Sequence, residues 1–164
     1  MKQLQRFDAF LNKLEGGLLV FFLAVMLVLA FLQVMLRNLF SFGFLWADLL
    51  LRHLVLWTGF LGAALATSQG RHISIDAFTR FLPERVKHAT SILTNLFATT
   101  VCYFLLTASL AFLKSEMQSG SLVYGNIPVW WGEAMIPVGF TLLAVHFLVR
   151  AVLDLHATIA GGTV

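Results

Sequence analysis

Residues 16–36 and 89–113 contain no charged side chain, and nothing else in the chain limits its fold so strongly. Two further apolar runs follow the same plan. Residues 44–68 are interrupted near their start by Asp48, Arg52 and His53, and residues 129–149 carry Glu133 near their beginning. Each run reaches the roughly 20 residues that cross a hydrocarbon core about 30 Å thick. Inside lipid no water is available to the backbone, so each run must bond its own amides as a helix. Composition agrees: only 12% of residues are charged, against about 25% in a typical soluble domain. The sequence therefore predicts an all-α integral membrane protein with four transmembrane helices. It is a single membrane domain, 1–164, with spans at about 16–37, 45–69, 84–114 and 129–153.

Lys2 and Arg6 precede the first run in the manner of a signal peptide. The apolar stretch is longer than the usual 7–15 residue core of such a peptide, and no small-x-small site follows it, so the segment is expected to stay in the mature protein. Orientation follows from the cations. Lys2, Arg6, Lys13, Arg71, Arg80, Arg85, Lys87 and Arg150 fall on one side, against Arg37 and Lys114 on the other. The positive-inside rule places both termini and the 69–88 segment in the cytoplasm. Trp46, Tyr124, Trp130 and Trp131 then gather at the outer interface, where amphipathic rings anchor. Residues 2–14 place Leu4, Phe7, Phe10, Leu11 and Leu14 at helical spacing and read as an interfacial amphipathic helix. Ile75, Phe78, Phe81 and Leu82 repeat the pattern more weakly before Pro83, which is suited to open the third helix. A third helix reaching Glu116 would be about 50 Å long, and so tilted or projecting into water.

The ionisable groups inside the spans are the first candidates for function. Asp48 and Arg52 stand four residues apart and can pair, with Glu133 as a rival partner for Arg52. All three sit near the outer ends of their helices, which favours an interfacial ion pair over ion coupling. Gly59 with Ala63, and Gly62 with Ala66, make small-xxx-small spacings that let another helix approach, from this bundle or from another protein. Trp57 at mid-span needs a partner for its indole N–H and is expected to face protein. At the cytoplasmic corner, Gly70 suits a helix end, Arg71 a headgroup contact, and His72 and Asp76 a structural pair. A metal there would need another ligand and would meet Arg71 and Arg80.

Haem is disfavoured by depth. His53 lies about 10 Å from the outer end of its helix and His146 about 25 Å, so they cannot share one iron. The lone Cys102 excludes an internal disulfide. There is no basic stripe for nucleic acid and no nucleophile–base constellation for an enzyme. No cofactor or metal is called for. Four-helix drug exporters need a deep carboxylate, where the first span offers only Gln33. A stand-alone exporter or a haem-binding anchor are the alternatives to an accessory membrane subunit.

Four stretches carry a resemblance to a known family: LQVMLRNLF with Arg37; LWADLLLRHLVLWTGFLGAALA with Trp46, Asp48, Arg52, Gly62 and Ala63; GRHISID with His72 and Asp76; and NIPVWWGEAMIPVGF with Pro128, Trp130 and Pro137. In order and spacing the chain resembles the small, DctQ-like membrane subunit of tripartite ATP-independent periplasmic (TRAP) transporters. One departure is Asp48, where that family often has Glu. The resemblance implies a multi-pass protein of the bacterial inner membrane, in its unfused form. It would pair with a large subunit that carries the solute and sodium sites, and would enlarge the static scaffold against which that subunit moves. A periplasmic binding protein would deliver an organic acid, such as a C4-dicarboxylate or sialic acid. It could touch the outer loop 114–128, while Arg37, Asp48, Arg52 and Glu133 would lie at packing contacts.

Overall fold

The computed structural model describes residues 2–69, 84–124 and 127–160. Helix α1 spans Lys2–Phe40, α2 Leu45–Ser68 and α3 Glu84–Ser119. A small hairpin follows, with β1 at Leu122–Tyr124 and β2 at Ile127–Pro128, then a single turn α4 at Trp130–Glu133 and a last helix α5 at Met135–Ala160. Four helices are long and apolar enough to cross a membrane, as expected.

The segment read as an interfacial helix continues directly into the first span, since α1 runs unbroken through Gly16 and Gly17. Glycine costs about 1 kcal/mol in a helix interior, but leaving backbone amides unpaired in lipid costs more. At 39 residues, α1 is about 58 Å long, well beyond one hydrocarbon thickness. Ser41, at φ +52, ends it in the left-handed conformation, and Gly120, at φ +65, does the same for α3. The fourth span is divided. Pro137 has no N–H to offer the carbonyl four residues back, so the turn at Glu133 closes as α4 and a new helix starts at Met135. The hairpin was not foreseen; it pairs Leu122 with Pro128 and Tyr124 with Ile127.

The helices do not close into a four-cornered bundle. They stand in a row, with α1 against α2, α2 against α5 and α5 against α3, and α1 meets α5 at only a few residues. The seam of α2 explains its central place. Ala47, Leu54, Leu61 and Ser68, seven residues apart, are all buried, with Ala64 and Thr67 beside them. The outer helices expose their apolar side chains, among them Phe21, Phe31 and Leu39 on α1 and Leu93, Phe97 and Phe104 on α3. Beside that apolar seam the interior holds Glu15, Gln33, Asn95, Ser109 and His146. Polar groups turn inward because lipid gives them nothing to bond.

Candidate functional site

Polar contacts between helices fall into two groups, one at the end bearing Trp46, Trp130 and Trp131 and one at the far end. At the tryptophan end, Gln33 closes the turn from α1 to α2. Its Nε2 donates to the Phe44 carbonyl at 2.9 Å and to Asp48 Oδ1 at 3.2 Å, while its Oε1 accepts the Phe44 N–H at 3.3 Å. Phe44 is the N-cap of α2 and has no capping side chain, and the Gln33 amide bonds the N–H and carbonyl of Phe44 itself, fixing the turn rather than capping the first-turn amides. Arg37 Nη2 lies 3.7 Å from Asp48 Oδ2. The expected Asp48–Arg52 pairing is replaced, because Gln33 and Arg37 reach Asp48 from α1. Arg52 is exposed and makes no ion pair among the described residues.

Trp57 has the protein partner its indole demands. Nε1 donates to the Gly132 carbonyl at 2.8 Å, and the ring meets Phe22 edge-on at 5.2 Å. A carbonyl only accepts, so His53 Nδ1, 2.8 Å from the Leu49 carbonyl, carries the hydrogen. Gly132 has no room for a side chain, since a Cβ there would fall inside the His53 ring. Trp57→Phe is expected to cost about 1–3 kcal/mol by leaving the Gly132 carbonyl without its donor. Denaturant unfolding in a fixed detergent checks this, and a loss under 0.5 kcal/mol would refute it.

At the far end, α5 presents His146, Arg150 and Asp154 at successive four-residue steps, and each reaches a different helix. His146 is 1% exposed, with Nδ1 3.1 Å from Asp8 Oδ1 and Nε2 3.0 Å from Glu15 Oε1, both on α1. Carboxylates accept, so a ring bearing hydrogen on both nitrogens satisfies both contacts. Asn12 lies between them in sequence and donates from Nδ2 to Asp8 Oδ2 at 3.3 Å. Arg150 donates to the Ser68 carbonyl, covering an open backbone acceptor in the last turn of α2. Asp154 Oδ2 accepts from Ser91 Oγ at 2.6 Å and Asn95 Nδ2 at 3.3 Å, both on α3.

The sequence missed this second group because its partners stand far apart in the chain, from 59 residues for Asn95 and Asp154 to 138 for Asp8 and His146. A clue was present: Asp8, Asn12 and Glu15 recur at helical spacing on one face.

Among the described residues, nothing packs against the small-residue face of α2 at Gly59 and Gly62. Gly59, Ala63 and Ala66 are exposed, and a Cβ on Gly59 or Gly62 would meet nothing within 4 Å. The close approach of α2 and α5 uses Gly139 instead, where a Cβ would fall inside the Phe60 ring. Trp46 and Trp131 are exposed and Trp130 is half-buried. Tyr124 contributes its backbone to β1. Gly70, Arg71, His72 and Asp76 lie outside the described residues.

Comparison with known proteins fits this architecture. A family model described as the DctQ component of tripartite ATP-independent periplasmic transporters matches residues 9–157. A protein of Haemophilus influenzae named as a TRAP transporter small permease protein is 32% identical over 61% of this chain and 62% of its own length. The sialic acid TRAP transporter permease protein SiaT of the same species is 28% identical over 85% of this chain but only 22% of its own length. The C4-dicarboxylate TRAP transporter small permease protein DctQ of Pseudomonas aeruginosa is 25% identical over 82% of this chain and 79% of its own.

Proposed function

The chain belongs to the DctQ component family of tripartite ATP-independent periplasmic transporters, and from that membership we propose that it is a small, non-catalytic permease subunit of such a system. It is a multi-pass protein of the inner membrane. The observation that carries the proposal is the extent of the match, which takes in all four spans rather than one motif. In this reading the chain pairs with a large permease subunit that moves an organic acid with sodium, after a periplasmic binding protein delivers it. Its own part is to hold a fixed frame. A row of helices with two broad apolar faces suits that part, because one face can remain in lipid while another is covered. The face of α2 carrying Gly59, Gly62, Ala63 and Ala66 is the one this reading gives to the large subunit, as no described residue lies within 4 Å of a Cβ on Gly59 or Gly62. Relatives named for sialic acid and for C4-dicarboxylates are about equally similar to it, so the solute is assigned only to the class of organic acids.

The test is co-expression with a large TRAP permease subunit from the same genome. A tag on this chain is expected to bring the large subunit down, and deleting the chain is expected to reduce solute uptake to background. If the chain purifies alone and uptake survives the deletion, the proposal is wrong.

A further inference from the structure

A second feature at the tryptophan end is left unused by the packing of the chain. Between α2, α4 and α5 lies an open groove of about 460 Å³, within the ~300–1,000 Å³ range of small-ligand sites. Leu49, Leu56 and Ile136 give it apolar walls, while Arg52, His53 and Glu133 supply polar groups. Two of those polar groups are incomplete. Glu133 Oε2 is buried and has no hydrogen-bond partner among the described residues, though both lone-pair directions need donors. The titratable groups acting on Glu133 are Glu116 from α3, which repels its charge, and His53 from α2. Arg52, facing the same groove, makes no ion pair among the described residues. Seven residues into α2 it stands about 10 Å below the helix end, where an uncompensated cation is costly and its long stem lets it reach toward the headgroups.

We propose that this groove is a binding site for a phospholipid whose headgroup carries a primary ammonium. The ammonium donates to the Glu133 carboxylate, the phosphate accepts from the Arg52 guanidinium, and an acyl chain lies along Leu49, Leu56 and Ile136. A zwitterion is selected because the groove presents one group of each sign and leaves both without a partner among the described residues. A choline headgroup carries the right charge but has no N–H to give the carboxylate. A glycerol headgroup brings hydroxyls without a positive charge, and sets a net anion beside Glu133 and Glu116. The site follows from the groove and the membrane alone, so it stands independently of the transport reading.

The experiment uses the full chain, together with any large subunit that co-purifies. It is reconstituted in vesicles of equal parts ethanolamine, choline and glycerol phospholipids with identical acyl chains. After re-extraction in mild detergent, native mass spectrometry counts the lipid retained. Ethanolamine lipid is expected to exceed choline lipid about tenfold, the factor one charged hydrogen bond supplies. Glu133→Gln is expected to reduce that preference to about twofold, and Arg52→Gln to lower retention of both lipids alike. Equal retention of the three headgroups by the native chain overturns the proposal, whether or not the variants assemble. So does an unchanged preference in Glu133→Gln, or a photocrosslinker at Leu122 that captures the large subunit and no lipid.

Discussion

His146→Ala is expected to destabilise the chain by about 3–5 kcal/mol, the cost of stranding a buried charge by removing its partner. The argument rests on burial more than on the ion pair itself. Glu15 is 2% exposed and His146 1%, so when the imidazole goes, the Glu15 carboxylate has neither water nor a donor. It must then take up a proton or move α1 away from α5. Because α1 otherwise touches α5 at few residues, the triad is the main polar tie between them. Asp8→Asn is expected to cost less, since the Asp8 side chain is 22% exposed and can turn to the surroundings. Replacing His146 and Glu15 together with Leu should recover most of the loss, as apolar replacement of a buried ion pair often does. Unfolding of each variant in one detergent, closed as a double-mutant cycle, measures the coupling. His146→Ala within 1 kcal/mol of the native chain would show that the triad ties nothing.

Gly139→Ala is expected to cost about 1–3 kcal/mol through overpacking, because its methyl would enter the Phe60 ring and force α2 and α5 apart. Gly59→Ala and Gly62→Ala are expected to stay within about 0.5 kcal/mol in the isolated chain, where their methyls meet nothing. The contrast separates two uses of small residues that look alike in sequence. If Gly59→Leu and Gly62→Leu leave the isolated chain folded yet reduce recovery of the large subunit at least fivefold in pull-downs, this face of α2 is a docking surface. Full recovery would instead leave those residues facing lipid.

Much of the architecture was legible because lipid leaves the backbone no alternative. An apolar run of 20 residues must be helical, so the four spans follow from counting. The same logic required a protein partner for Trp57, since an indole N–H has nowhere else to go. What could not be read was which partner, Gly132, because it depends on how α4 folds over α2. The pairing of Asp48 shows the limit from the other side. Arg52, one turn away, was the local choice, yet Gln33 and Arg37 reach Asp48 because the short turn at residues 41–44 brings the end of α1 alongside the start of α2.

By itself the sequence determined that this is a membrane protein with four spanning helices, and which family it resembles. Those features are set by local physics: hydrophobic length, the backbone's need for hydrogen bonds, and the missing N–H of proline. The tertiary structure alone decided the order of the row, the choice of Gly139 over Gly59 and Gly62 for close packing, and the joining of Asp8, Glu15 and His146. Each of these depends on the relative rotation of helices far apart in the chain. Periodicity gives every helix a face, but only packing tells which neighbour that face meets.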